Sequence, residues 1–188
     1  MKRKNIGYAL LAGSVLFGFT VATGAYAADT SLCMACHGVA ENETAPNIAG
    51  MSAKYIAGSL KKFKENKRPC DSGMCGMAAE LSDEDMDDLG QQFAAEKFVR
   101  AEQAFDAALA EKGKAIHVKN CEKCHSENGS KADDNSGILA GQKMAYLRSQ
   151  LDFVLSGQRT VHKKMKPRIE RLSKDEIEAV INYYGSLR

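Results

Sequence analysis

The sequence of 188 residues predicts an all-α protein made of two tandem domains that pack as a pair. Apolar residues recur at helical spacing in each half, and the last such segment of each half begins with a capping-box pattern. The two halves also match each other along most of their length. No alternating apolar and polar pattern of useful length is present in the sequence, so we expect no sheet.

The internal repeat is the basis of the domain prediction. Cys33 and Cys121 are 88 positions apart, and after a three-residue insertion in the second half the offset becomes 91 and stays constant. The matched positions are Ala49-Gly50 with Ala140-Gly141, Tyr55 with Tyr146, Arg68 with Arg159, Leu81-Ser82 with Leu172-Ser173, and Phe93 with Tyr184. We therefore place two domains at residues 29–100 and 101–188. Because no glycine- or proline-rich linker separates them, we expect a tight pair.

Two helices are predicted in each half from their apolar faces. The earlier helix has apolar residues at Ile56, Leu60 and Phe63, matched by Leu147, Leu151 and Val154. The last helix starts at a serine followed three residues later by an acid, Ser82 with Asp85 and Ser173 with Glu176. Its apolar face consists of Met86, Leu89, Gly90 and Phe93 in the first half and of Ile177, Val180, Ile181 and Tyr184 in the second. A domain of about 80 residues has a thin core.

Residues 1–27 have the composition of a secretory signal peptide. Lys2, Arg3 and Lys4 form a basic start, residues 6–22 are apolar and uncharged, and Ala25 and Ala27 are the small residues of a cleavage site. We expect cleavage after Ala27 and export to the periplasm. The alternative is a retained membrane anchor, because the apolar run approaches the length of a spanning helix. Beyond residue 27 the chain has 23 Lys and Arg against 24 Asp and Glu, which excludes a basic nucleic-acid-binding protein.

Four of the six cysteines occur in two copies of a C-x-x-C-H motif, at residues 33–37 and 121–125. This motif is the attachment pattern of c-type haem. Two thiols about one helical turn apart reach the two vinyl groups on one edge of the porphyrin, and the adjoining histidine is directed at the iron. A zinc site or a redox-active dithiol would not require a histidine directly after each pair. We therefore predict two covalently bound haem c groups, attached at Cys33, Cys36, Cys121 and Cys124, with His37 and His125 as axial ligands of the iron.

A methionine at a matched position in each half is the candidate for the second axial ligand. Met74 lies eight residues before Ser82, and Met165 lies eight residues before Ser173. A thioether ligand favours the ferrous state and raises the reduction potential, which suits an electron carrier. Two alternatives stay open, Met77 in the first half and His162 in the second. His117 is interpreted as a surface or packing histidine.

Cys70 and Cys75 bracket Met74 and have no counterpart in the second half. In an oxidising compartment, two remaining cysteines this close most simply form a disulfide. Such a bridge closes a short loop and would fix the segment that presents Met74. The alternatives are a redox-active pair or a copper site beside the first haem.

Three smaller features have both a functional and an ordinary interpretation. The backbone carbonyl of Pro46, or of Gly137 at the corresponding place in the second half, could accept the proximal imidazole N–H and fix its tautomer. Arg68 and Arg159 either face haem propionates or are exposed to solvent. The acidic run at residues 83–88 is interpreted as a solvated helix face, with a docking patch for a basic partner as the alternative.

These residues resemble the class I cytochrome c superfamily, specifically its diheme members of the c4 type. The resemblance covers nearly the whole chain beyond residue 27. The second half is similar to a narrower group: FDAALA at 105–110, CEKCH at 121–125 and ILAG at 138–141 look like the cytochrome subunit of flavocytochrome c sulfide dehydrogenase. The resemblance implies two cytochrome c domains packed about a pseudo-twofold axis with their haems close together. It also implies Met74 and Met165 as distal ligands, whereas the Cys70 and Cys75 pair departs from the family pattern.

The resemblance further implies that the chain takes electrons from a separate FAD-bearing subunit that oxidises sulfide and passes them to a soluble or membrane-bound acceptor. The alternative function is a freestanding c4-type carrier that delivers electrons to a terminal oxidase. A haem enzyme would need an open or unusual distal ligand, which the matched methionines do not favour. The sequence has no G-x-G-x-x-G fingerprint for a flavin. We therefore expect an electron-transfer protein that is not itself an enzyme.

Overall fold

The computed structural model of the chain describes residues 29–38 and 42–188. The predicted signal peptide at residues 1–27 lies outside the described residues. Within them the chain forms helices α1 (Thr30–His37), α2 (Ala53–Lys64), α3 (Ser72–Glu80), α4 (Asp83–Ala94), α5 (Ala107–Asn120), α6 (Met144–Leu155), α7 (Lys166–Ile169) and α8 (Lys174–Ser186), with a 3₁₀ turn at Glu127–Gly129. The only strand-like pairing in these ranges is an isolated bridge between Asp133 and Ser136. The all-α prediction is confirmed.

None of the helices that the structure describes has the length and apolar character needed to cross a membrane.

Each half has its own hydrophobic core, built from the helices that the apolar spacing predicts. In the first half α2 packs against α4, and the buried side chains there are Met51, Ile56, Leu89 and Phe93. In the second half α8 packs against both α5 and α6, around Tyr146, Leu147, Val180, Ile181, Tyr183 and Tyr184. The apolar faces predicted for α4 and α8 therefore point into these cores.

Both predicted capping boxes are present. The Ser82 hydroxyl accepts the backbone N–H of Asp85 at 3.0 Å, and the Asp85 carboxylate accepts the Ser82 N–H at 2.8 Å. Ser173 and Glu176 form the same pair of bonds at 3.2 and 2.8 Å. Each box satisfies backbone donors that the first turn of a helix leaves without a partner. The start of α4 and of α8 is thus fixed by the sequence itself.

A matched glycine turn links each core to the segment that follows the haem motif. Gly50 and Gly141 have φ angles of +73° and +72°, a left-handed conformation that glycine adopts without steric cost. Their N–H groups donate to the carbonyls of Phe93 and Tyr184, each at 2.8 Å. The two turns therefore tie corresponding loops to the ends of α4 and α8 in the same way.

The two halves pack against each other as the predicted pair. At one edge of the interface, Asp134 from the second half accepts the Ser52 hydroxyl at 2.5 Å and forms an ion pair with Lys54 at 3.1 Å. Ala101, at the junction of the halves, donates its N–H to the Gly141 carbonyl at 2.8 Å. The buried residues at the centre of the interface form part of the candidate functional site.

Candidate functional site

The two C-x-x-C-H segments have the same pattern of exposure. The first motif forms the end of α1, and the second forms the turn that follows α5. In each, the first cysteine is half-buried, the second is exposed and the histidine is half-buried. Burial raises the pKa of Cys33 and of Cys121, which keeps both thiols protonated at neutral pH. None of these four cysteines is in a disulfide.

The imidazole of His37 is oriented by a backbone carbonyl. Its Nδ1 donates to the Pro46 carbonyl at 2.8 Å, as expected from the sequence, and this bond leaves Nε2 available as a ligand atom. Burial lowers the pKa of His37 and of His125, which favours the neutral imidazole that metal binding requires. Among the described residues, His125 has no matching bond to the Gly137 carbonyl. Gly137 instead lies against the Tyr55 ring. A Cβ added to Gly137 would be 2.9 Å from the nearest atom of that ring.

The structure separates the candidate distal ligands by exposure. Met74 and Met165 are both half-buried, whereas the Met77 side chain is 44% exposed and His162 is exposed. The His162 ring is engaged in its own loop, where Nδ1 accepts the Lys164 N–H at 3.2 Å. This difference favours the matched methionines over both alternatives.

The segment that carries Met74 is a helix, which the sequence analysis did not predict. Asp71 caps α3, because its carboxylate accepts the Met74 N–H at 2.8 Å and its carbonyl accepts the Cys75 N–H at 3.0 Å. The predicted disulfide between Cys70 and Cys75 is present, with the two Cα atoms 5.6 Å apart. The bridge therefore spans the cap and first turn of α3, and Met74 lies inside the loop that it closes.

Met165 is held differently, by a local turn with no covalent bridge. Its N–H donates to the His162 carbonyl at 2.7 Å. The short helix α7 begins directly after it and has Pro167 in its first turn, where the ring favours helical φ without removing a needed donor. The two halves thus use different local structures at the matched methionine.

Arg68 and Arg159 meet at the centre of the interface between the halves. Arg68 is only 8% exposed and donates to the Tyr146 hydroxyl at 2.9 Å and to the Gln150 side chain at 3.3 Å. Arg159 donates to the same Gln150 oxygen at 2.6 Å. The interpretation of Arg68 as an exposed arginine is therefore excluded, and the two repeat-related guanidinium groups lie close together.

This arginine pair has no carboxylate partner among the described residues. Neither guanidinium forms an ion pair there, and the buried Nε of Arg68 has no hydrogen-bond acceptor. Burying Arg68 without a counter-ion is costly, since its guanidinium group loses hydration and is repelled by the half-buried cation of Arg159. The site is therefore suited to an anionic group that the polypeptide itself does not supply.

A second set of interface residues was not predicted from the sequence. Gln142, fully buried, accepts the Asn47 N–H at 2.9 Å and donates to the Asn47 carbonyl at 3.0 Å. The neighbouring Lys143 is 4% exposed, and its Nζ donates to the carbonyls of Gly38 and Asn42 at 2.6 and 3.1 Å. Residues of the second half therefore contact Gly38, Asn42 and Asn47, which all lie after the first C-x-x-C-H motif. Nothing in the sequence around Gln142 and Lys143 indicated these contacts.

His117 lies in a buried network next to the second motif. It is fully buried, it donates from Nε2 to Glu122, and its Nδ1 accepts the Tyr184 hydroxyl at 2.8 Å. Tyr184 also interacts with the Cys121 sulfur, and burial raises the pKa of its hydroxyl well above 10. The packing interpretation of His117 is confirmed. The first half has Phe93 in place of Tyr184 and so lacks this network.

These residues fit covalently bound haem. Each half offers two thiols one turn apart, an adjoining imidazole with a lowered pKa and a half-buried thioether, and the interface offers two guanidinium groups that form no ion pair among the described residues and could face propionates. The zinc alternative requires the two cysteine pairs to converge. In the ranges 29–38 and 42–188, no group of three or more Cys, His, Asp or Glu side chains is arranged to hold a metal ion.

Two family models match the chain, one in each half. Residues 21–91 match the family described as cytochrome c, and residues 108–183 match the family described as cytochrome c oxidase, cbb3-type, subunit III. Cytochrome c domains in tandem imply covalently bound haem c, in agreement with the donor set of each half.

Individual proteins and structures extend the similarity over both halves. Cytochrome c4 of Stutzerimonas stutzeri is 32% identical over 181 residues, covering 84% of this chain and 85% of that protein. The thiosulfate dehydrogenase electron acceptor of Stutzerimonas stutzeri (strain A1501) is 30% identical over 170 residues, covering 82% and 78% of the two chains. The solved structure of Acidithiobacillus ferrooxidans cytochrome c4 superimposes with a TM-score of 0.74 at 27% identity, covering 85% of this chain and all of that chain. The chain therefore belongs to the cytochrome c4 family of diheme class I cytochromes c.

Proposed function

We propose that this cytochrome is the haem subunit that accepts electrons from a flavoprotein sulfide dehydrogenase and passes them to a soluble or membrane-bound acceptor. The observation that carries the electron-transfer function is the duplication of one complete donor set, C-x-x-C-H with a half-buried methionine, around a shared interface. The similarity of residues 105–141 to the cytochrome subunit of flavocytochrome c favours the flavoprotein as the donor. We also propose export to the periplasm after cleavage at Ala27, and domains at residues 29–100 and 101–188.

The proposed haem sites follow the repeat. Each haem would be attached through two cysteines, and a histidine and a methionine would supply its iron ligands. These residues are Cys33, Cys36, His37 and Met74 in the first domain, and Cys121, Cys124, His125 and Met165 in the second. When bound, haem supplies a one-electron couple whose potential a methionine ligand raises.

The polypeptide contributes orientation and charge compensation to this function. The Pro46 carbonyl fixes the His37 tautomer, and the capped, disulfide-bridged start of α3 positions Met74. Arg68 and Arg159 supply positive charge at the interface, where propionates would neutralise it. Because these bonds hold the donor groups of the first site in place, little reorganisation should accompany a change of charge there, and this favours fast electron transfer.

A second candidate donor is a thiosulfate dehydrogenase. Two curated relatives are named thiosulfate dehydrogenase electron acceptors, and both align with about four-fifths of this chain, 82% and 79%, and so with both halves. In this alternative the chain has the same haem sites, but its electrons come from the oxidation of thiosulfate rather than of sulfide.

The proposed donor is tested with native protein purified gently from the periplasm. A stoichiometric second chain with flavin absorbance, together with haem reduction on addition of sulfide, is the expected result. Haem reduction by thiosulfate in the presence of a co-purifying dehydrogenase would identify the second candidate. A single chain that neither compound reduces, with or without its periplasmic extract, would refute both and favour delivery from a membrane complex to an oxidase.

The axial ligands are tested separately. Met74→Ala and Met165→Ala should each remove half of the methionine-to-ferric-iron charge-transfer absorbance, because each removes one of two such ligands. Met77→Ala and replacement of His162 by Ala are the matched controls and should leave the band intact. An unchanged band after Met74→Ala would transfer the assignment to Met77.

A further inference from the structure

A hydrogen-bonded network of three side chains lies beside the attachment motif of the second half. His117 is fully buried, its Nε2–H donates to the Glu122 carboxylate, and its Nδ1 accepts the Tyr184 hydroxyl at 2.8 Å. These three residues come from α5, from the motif itself and from α8. The network therefore joins the two packed helices of this half to the segment that carries Cys121 and Cys124.

The hydrogen bonds determine the charge of the network. Because Nδ1 of His117 accepts from Tyr184, the ring has its one proton on Nε2 and is neutral. The bond from His117 lowers the pKa of Glu122, so this carboxylate is ionised at neutral pH. Burial raises the pKa of Tyr184 well above 10, so its hydroxyl stays protonated. The network thus carries one negative charge, on Glu122.

The Glu122 carboxylate is held in place through both of its oxygens. One oxygen accepts the His117 Nε2–H, and the other accepts the Glu127 N–H at 3.0 Å. Glu127 and Asn128 have left-handed φ angles of +57° and +58°, and the Tyr183 hydroxyl donates to the Asn128 side chain at 2.8 Å. The turn after the second motif is therefore tied both to Glu122 and to α8. The charge has a fixed place, one residue after the first attachment cysteine.

The first half has apolar side chains at the corresponding place. The residues matched to His117, Glu122 and Tyr184 are Asp29, Met34 and Phe93. Met34 packs, together with Cys33, against the core that contains Phe93. Asp29 is exposed, and its carboxylate accepts the Ser31 N–H at 2.9 Å. The fold thus accommodates a C-x-x-C-H motif with apolar neighbours, and the motif by itself does not explain the network of the second half.

We propose that the network of His117, Glu122 and Tyr184 lowers the reduction potential of the second haem and so shifts the electron of a half-reduced molecule toward the first haem. This inference rests on the proposed haem sites and adds the residues that adjust one potential. A fixed negative charge near the iron stabilises the ferric state, which has one more positive charge than the ferrous state. Both halves offer a histidine and a methionine to the iron, so their potentials are set apart by the groups around these ligands.

The test compares two variants that lose one carboxylate each. Glu122→Gln removes the charge of the network and keeps the size of the side chain. Glu111→Gln is the control, because Glu111 is exposed and lies on α5 within two turns of His117. Both variants change the net charge of the chain equally, so a difference between them reports the position of the charge.

The holoprotein is equilibrated with set ratios of ferricyanide to ferrocyanide. One electron passes from each ferrous haem to one ferricyanide ion, which becomes ferrocyanide. The methionine-to-ferric-iron absorbance is followed in two backgrounds. In Met74→Ala the remaining absorbance reports the second haem, and in Met165→Ala it reports the first. The measured quantity is the ratio at which half of this absorbance is present.

In the Met74→Ala background, Glu122→Gln should raise this ratio by about fivefold, because the ferric state loses a stabilising charge. Glu111→Gln should change it by less than about twofold, because an exposed charge is screened by salt. In the Met165→Ala background, Glu122→Gln should also have an effect below about twofold. No rise with Glu122→Gln, an equal rise with Glu111→Gln, or a rise confined to the Met165→Ala background would overturn the proposal.

Glu122→Met guards against a local folding defect in the glutamine variant. It introduces the residue that the first half has at the matched position, Met34, which packs there against the core. It should raise the ratio as much as Glu122→Gln, and both variants should keep the methionine-to-iron absorbance of the second haem. An unchanged ratio in Glu122→Met would also overturn the proposal.

Failure of the proposed function would look different from failure of this inference. The titrations use no donor protein, so absence of haem reduction by sulfide or thiosulfate would leave their outcome unaffected. A wild-type protein without absorbance that changes on reduction would instead refute the haem sites themselves.

Discussion

Removing the disulfide should loosen Met74 while leaving Met165 in place. In the double variant C70S/C75S, the loop that encloses Asp71 and Met74 loses its covalent closure. That loop contains both hydrogen bonds by which Asp71 caps α3, to the N–H groups of Met74 and Cys75. Fraying of the cap would release the first turn of the helix, which is where Met74 lies.

The size of the effect follows from the length of the loop. The bridged cysteines are five residues apart, and closing so short a loop restricts the unfolded chain by about 2 kcal/mol. We therefore expect the free energy of unfolding of the first half to fall by about 2 kcal/mol in the double variant. The second half has Val161 and Lys166 at the matched positions, so its stability should not change.

Chemical unfolding of the ferric holoprotein, followed by the methionine-to-iron absorbance, measures both consequences. Half of the absorbance should disappear at a lower denaturant concentration than in the wild-type protein, and the other half should keep its midpoint. Adding Met165→Ala to C70S/C75S should remove the half that keeps its midpoint. A single unchanged transition in C70S/C75S would refute the argument that the bridge positions Met74.

Three further predictions concern the helices. Gly113→Ala should destabilise the second half by about 3 kcal/mol in thermal unfolding, because a Cβ there overlaps the Ala179 carbonyl on α8. Gly58→Ala should instead stabilise α2 by about 1 kcal/mol in the same assay, because a Cβ at Gly58 has no neighbour within 4 Å. Ser82→Ala and Ser173→Ala should each cost about 1 kcal/mol in the same assay, and no loss would contradict the capping role. Hydrogen bonding to Ser82 lowers the pKa of Asp85 below its ordinary 3.8, so its stabilising effect is complete above that pH and disappears as the pH falls through the lower folded value. The difference in stability between wild type and Asp85→Asn should follow that course, and a difference independent of pH would contradict it.

The sequence predicted those parts of the fold that depend on local pattern. The last helix of each half followed from a serine, an acid three residues later and an apolar face, and all of these are read within one short segment. The disulfide was predicted from the short spacing between Cys70 and Cys75 and from the expected oxidising compartment. Helix α3 was missed, because glycines at 73 and 76 weaken helical propensity and the Asp71 cap and the disulfide compensate for them.

The interface could not be predicted, because its contacts join residues far apart in the chain. Arg68 and Tyr146 were each matched by the repeat, but only the packing of the two halves shows that they bond to each other. Lys143 gave no signal at all, since a lysine is ordinarily exposed and its partners here are backbone carbonyls. The repeat indicated which residues are candidates for holding a cofactor, whereas long-range packing determines how the two halves contact each other.

The interface also explains why the two halves form one unit. A guanidinium group buried without an acid destabilises the polypeptide, and buried Arg68 has the half-buried cation of Arg159 beside it. An anionic cofactor edge entering this position would remove the repulsion and satisfy the orphan Nε of Arg68. Haem attachment in either half would then stabilise contacts made by the other, because Arg68 and Arg159 come from different halves and share Gln150. The same two arginines thus couple cofactor binding to domain packing. The segments around Met74 and Met165 differ in structure, so the two halves have different outer surfaces.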